Sequence, residues 1–273
     1  MVISKFMNKS FYERLFSGII LGIIALITII LGNDILLVTV GIVSLIGLYE
    51  MNRVFGIEKY ATGILSYIAV IIYYAMLRFD MMTYVPFLIV ALLIACMAIY
   101  VFEFPKCKTE QVMAAIFGTI YVAVMLSFVY LVRMGNNGAY NVWLIFLCSW
   151  GSDTCAYVFG VAFGKHKMAP VLSPKKSIEG CIAGTIGAVI LMLGYTYFAD
   201  TYWGVSYSYG YIAIIGVILS LIGQIGDFSA SSIKRYVDIK DFSNLIPGHG
   251  GMLDRIDSLL FLAPFAYALF TLL

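Results

Sequence analysis

The chain has 273 residues, 62% of them hydrophobic and only 12% charged, with a net charge of +2 and a mean hydropathy of +0.98. Soluble domains carry about 25% charged residues, so a water-soluble globular protein is excluded, and the near-neutral balance gives no reason to expect a nucleic-acid partner. Apolar runs near the roughly 20 residues needed to cross the hydrocarbon as a helix recur along the chain. They fall at 15–32, 34–51, 61–77, 83–102, 110–132, 140–163, 179–198, 209–230 and 254–273, which predicts an all-α polytopic membrane protein, a bundle of nine transmembrane helices.

Lys5, Lys9 and Arg14 precede the first run, as in a signal peptide. The run is long for a signal core, however, and Gly32-Asn33-Asp34 is a poor cleavage site, so a retained span is expected. Glu50 and Arg53 stand three apart at the end of the second run, where an interfacial salt bridge is the simplest reading. With the N-terminus in the cytoplasm, every one of the 17 Lys and Arg residues except Arg78 and Arg133 falls on the cytoplasmic side, a consistent positive-inside bias. The five cysteines have no CxxC spacing and read as small core residues, not a disulfide framework or zinc site.

Residues 1–133 read as scaffold helices with short loops, and residues 134–273 as a catalytic region. There polar groups enter the spans: Asp153 lies within CSWGSDTCAYVFG and Asp227 within GQIGDFSASSIKR. A carboxylate at membrane depth costs at least a few kcal/mol and needs a partner or a job. For Asp153 the plain alternative is a hydrogen-bond hub with Ser149, Ser152 and Thr154. Two long polar cytoplasmic loops belong to this region, 163–180 and 232–257. In the first, Ser173, Lys175 and Lys176 suit either a substrate phosphate or anionic headgroups, and Ser177 before Glu179-Gly180 suits a helix N-cap.

The second loop ends in IPGHGGMLDRID (Ile246–Asp257). Asp254 and Asp257, three apart at a helix start, are expected on one face. Paired carboxylates near the cytoplasm suit Mg²⁺, which leaves its other positions to water and substrate phosphates. Pro247 to Gly251 lets backbone N–H groups converge on an anion at a helix N-terminus, and Lys234, Arg235, Lys240 and Arg255 supply cations nearby. His249 serves equally well as a phosphate donor or as a turn hydrogen bond. GVAFGKH has the wrong spacing for a Walker A loop, two histidines are too few for a histidine-rich metal site, and no GxSxG elbow is present.

Taken whole, SIKRYVDIKDFSNLIPGHGGMLDRIDS (Ser232–Ser258) closely resembles the signature of the phosphatidate cytidylyltransferases, and the upstream SDTCAYVFGVAFGKHKMAPVLSPKKSIEG resembles that family's other well-kept region. The N-terminal half matches only as generic membrane helices. Many relatives carry a glutamate soon after the Gly-Asp that corresponds to Gly226-Asp227, whereas this chain has Ala230 and serines. The resemblance implies transfer of CMP from CTP to phosphatidic acid in the membrane, giving CDP-diacylglycerol and pyrophosphate. It implies Asp227, Asp254 and Asp257 as ligands of Mg²⁺, with room for a second cation, and Lys234 in the catalytic group. Ser173, Lys175, Lys176, Arg235, Lys240, His249 and Arg255 are then candidates for substrate phosphates, and Asp153 for support. A second copy of the chain is a candidate partner, and the short loops suit a bacterial cytoplasmic membrane. Two other classes stay open on the residues alone: a CTP-dependent lipid-alcohol kinase, and a cation transporter using Asp153 and Asp227.

Overall fold

A computed structural model describes residues 9–205 and 207–271, with side chains from residue 16 onward, so Lys5 and the side chains of Lys9 and Arg14 lie outside the described residues. The helices are α1 (Lys9–Leu31), α2 (Asn33–Val54), α3 (Ala61–Arg78), α4 (Val85–Phe102), α5 (Thr109–Gly118), α6 (Met125–Met134), α7 (Gly138–Phe163), α8 (Ile178–Trp203), α9 (Tyr209–Tyr236) and α10 (Leu253–Thr271). A π-helical stretch, Thr119–Val124, joins α5 to α6. Over its described residues, every predicted span falls largely on helix. Among the described residues, seven helical stretches are long and apolar enough to cross a membrane, while α1 adds the shorter apolar run Phe16–Leu31. Large side chains such as Phe87 and Ile94 of α4 point outward. Such faces would aggregate in water and are at home in lipid. The chain is a multi-pass helical membrane protein.

The chain divides into two compact units. One comprises the described residues up to Tyr130 with Asp241–Arg255, and the other the described residues of 131–240 with those from Ile256 onward. In the first, buried polar groups on apolar helices pair with one another: Ser44 with Tyr74 at 2.7 Å, Tyr73 with Ser127 at 2.7 Å, and Asn52 Nδ2 donating to Ser66 at 3.0 Å. Without water, such groups must find partners inside the protein.

In the second unit α7 and α8 pack closely along small residues. Gly180, Gly184 and Ala188 recur at every fourth position and share one face of α8. A Cβ on Gly184 would lie 2.7 Å from the Ser152 carbonyl oxygen of α7. Gly184→Leu is therefore expected to cost at least the roughly 1–3 kcal/mol typical of overpacking, read as a lower thermal midpoint in detergent. Unchanged stability would contradict this packing.

The polar loop at 163–180 departs from the all-α expectation by folding as an antiparallel hairpin, β1 (Lys167–Ala169) with β2 (Ser173–Ser177). Its strands are too short to show a period-2 pattern, and Pro174 is tolerated because the strand lies at an edge. Glu179 clamps the base: its carboxylate accepts from the backbone N–H groups of Lys165 and His166 and lies 2.6 Å from His166 Nδ1. Ser177 caps α8 as expected, accepting from Gly180 N at 3.2 Å. The second predicted loop is shorter than read, since α9 continues to Tyr236 and carries Lys234 and Arg235 in its last turn, where cations suit the helix dipole.

Candidate active site

In the second unit, Ser220, Gln224 and Asp227 lie four and three residues apart on α9 and so share a face. A polar seam follows that face: Ser220 is 3.0 Å from Ser152, and Gln224 Nε2 lies 3.2 Å from the Cys181 carbonyl and 3.1 Å from Thr185 Oγ1. The seam leads into a cavity of about 690 Å³ between α7, the hairpin, α8 and α9, a size usual for ligand sites. Asp153, Ser173, Lys175, Lys176 and Asp227 all line it. The hairpin thus brings the lysines to the acids of α7 and α9.

Lys176 forms an ion pair with Asp227, and its ammonium sits 4.4 Å over the Phe228 ring. Both side chains of the pair are about three-quarters covered, at 28% and 25% exposure. Asp257, on α10, feels the negative charges of Asp227 and Asp153 and the positive charge of Lys234. Gly226 permits this neighbourhood, since a Cβ there would lie 2.9 Å from the Asp257 carbonyl oxygen. Acids and lysines lining one cavity can hold phosphates and a hard cation together. Of the neighbours considered for Asp153, Ser149 pairs with Ser258 at 2.9 Å and Ser152 with Ser220. Asp153 lines the cavity.

The PGHGG stretch lies in the first unit and is folded on itself. Pro247-Gly248 forms the corner of a type II turn, with His249 N donating to the Ile246 carbonyl at 2.9 Å and Gly248 at φ 74°. His249 Nδ1 lies 2.8 Å from Ser17 Oγ of α1. Of the N–H groups expected to meet a phosphate, those of His249 and Gly250 donate to the Ile246 carbonyl, and those of Gly251, Met252 and Leu253 to the chain's own carboxylates. Asp254 Oδ2 accepts from Phe242 N and Gly251 N, each at 2.9 Å. Glu50 accepts from Met252 N at 2.9 Å, Leu253 N at 2.8 Å and Ser243 Oγ at 2.5 Å. A Cβ on Gly251 would lie 2.8 Å from Glu50 Oε1, so only glycine fits.

Glu50 therefore departs from its expected pairing with Arg53, which is not among the ion pairs of the described residues. It was missed as part of this region because its partners lie 193 to 203 residues away. A buried acid at the end of an apolar run was the one available signal. Asp254 Oδ2 serves backbone donors of its own loop. Arg235 turns to the carbonyls of Leu172 at 3.4 Å and Ile239 at 3.1 Å, tying the hairpin turn to the end of α9. Lys240 and Arg255 are exposed, and Ala230 is buried in the α9 packing.

Among the described residues no group of three or more His, Cys, Asp or Glu is clustered to hold a metal. Mg²⁺ commonly takes only one or two protein carboxylates and fills its shell with water and phosphate. Asp227, which lines the cavity, and Asp257, which feels its charge, are two hard oxygen donors of the kind that fits such an ion.

A family model described as the cytidylyltransferase family matches residues 12–273. A phosphatidate cytidylyltransferase of Staphylococcus epidermidis is 33% identical over 255 residues, 92% of this chain and 95% of that protein. Those of Staphylococcus aureus and Staphylococcus saprophyticus are 42% and 40% identical over 144 and 141 residues. In those two matches the chain spans about half the relative's length, 53% in each case. On the whole-length match, the chain belongs to the cytidylyltransferase family.

Proposed function

We propose that the chain transfers CMP from CTP to phosphatidate, forming CDP-diacylglycerol and pyrophosphate. The observation that carries this reading is the cavity in which Lys175 and Lys176 of the hairpin meet Asp227 of α9, supported by the names of the relatives. A phosphatidate oxygen attacks the α-phosphorus of CTP, the new P–O bond forms, and the bond to the β-phosphate oxygen breaks to release pyrophosphate. That oxygen is already largely anionic, since phosphomonoesters lose their second proton near pH 6, and no strong general base is needed. The obstacle is repulsion between two phosphates, so the work is positioning and charge neutralisation.

Lys175, Lys176 and Lys234 neutralise and hold phosphate oxygens. Asp227 and Asp257 would hold Mg²⁺, which when bound offsets charge on the nucleotide phosphates. Asp153 adds a carboxylate that Lys175 or a second cation balances. Asp254 and His249 keep the PGHGG segment folded. The chain crosses the cytoplasmic membrane nine times with its N-terminus and active site on the cytoplasmic side, where a soluble nucleotide meets a membrane lipid. The positive-inside distribution supports this orientation. A purified sample in mixed micelles is expected to release pyrophosphate only when CTP, phosphatidate and Mg²⁺ are all present. Release that ignores phosphatidate would contradict the reading.

A further inference from the structure

Glu50 stands on α2, in the half of the chain that carries none of the recognisable motifs, yet it is 2% exposed and holds the segment that opens α10. Helix N-termini are ordinarily capped by a short polar side chain of the same segment. Here a carboxylate from another helix does the work, although burying it has a desolvation cost. Its oxygens take Met252 N, Leu253 N and the Ser243 hydroxyl. With Asp254 taking Gly251 N, three consecutive N–H groups at the start of α10 are fixed by two acids. The negative charge also suits the positive end of the helix dipole. α10 thus begins where Glu50 holds it, four residues before Asp257.

We infer that Glu50 is a positioning residue for catalysis, fixing the start of α10 and its rotation about its own axis, and so the placement of the Asp257 carboxylate one turn on. The inference rests on the cytidylyl-transfer reading. Glu50→Gln keeps the volume but turns an NH₂ donor towards backbone donors, displacing the segment. A displacement of about 1 Å at a reacting group costs on the order of a hundred-fold in rate.

The test is steady-state kinetics with CTP and phosphatidate in mixed micelles, combined with hydrogen exchange. For E50Q, kcat should fall roughly a hundred-fold with both KM values little changed, and the Mg²⁺ concentration for half-maximal rate should rise. Exchange should quicken at residues 242–254 and not elsewhere. Ser243→Ala, which removes one of the three bonds, should show the same pattern at a few-fold, E50D should fall between wild type and E50Q, and Lys106→Ala should match wild type. A wild-type kcat in E50Q, or a loss spread over KM with faster exchange throughout, would overturn the inference. If the wild-type protein transfers nothing, the reading fails and the catalytic half of the inference with it. Unchanged protection at Gly251–Leu253 in E50Q would then overturn the positional half.

Discussion

Asp227→Asn should lower cytidylyl transfer by roughly a hundred- to a thousand-fold, the range seen when a preorganised electrostatic contact is removed from an active site, and should also reduce stability. The first effect follows from losing a carboxylate that would hold Mg²⁺. The second follows from Lys176, which loses its ion-pair partner while three-quarters covered. Exposed pairs contribute about 0–1 kcal/mol and breaking a buried pair costs about 3–5 kcal/mol, so this half-buried pair should fall between them. The Phe228 ring keeps some hold on the ammonium, so the protein should still fold. Thermal unfolding in one detergent, beside the rate at saturating Mg²⁺, checks both signs. Full activity in this variant would sink the role given to Asp227.

Asp257→Asn should abolish transfer to a similar degree yet raise the thermal midpoint. Asp257 is half-buried and repelled by Asp227 and Asp153, and Lys234 offsets only part of this. Like charges several ångströms apart at an effective dielectric near 20 repel by a few kcal/mol before screening. Removing one should therefore stabilise the resting protein. Asn can still accept the 2.8 Å bond from Ser258 N. The two substitutions thus act alike on rate and oppositely on stability. If Asp257→Asn destabilises the protein as Asp227→Asn does, the repulsive cluster is not as described.

The apolar runs made the spans legible, because a helix in lipid leaves little room for polar residues. Asp153 and Asp227 stood out for the same reason, and Ser177 carried a local capping pattern that the structure repeats. What stayed hidden depends on partners remote in sequence. Helical spacing puts Asp254 and Asp257 three apart, but spacing alone does not reveal that a nearby loop supplies N–H donors to Asp254. Glu50 had an arginine three residues away and so looked satisfied locally, whereas the N–H groups of Met252 and Leu253 claim it. The hairpin escaped because three- and five-residue strands are too short for alternation to register. The spacing of Gly180, Gly184 and Ala188 was readable as a close helix contact, though not which helix it met.

The measurement that tests cytidylyl transfer most directly is product formation in mixed micelles containing phosphatidate, a lipid alcohol and Mg²⁺, with CTP labelled separately on its α- and γ-phosphates. The account predicts α label in the lipid and γ label released in pyrophosphate. Gamma label entering the lipid alcohol, or no transfer of either label by folded protein, would contradict it.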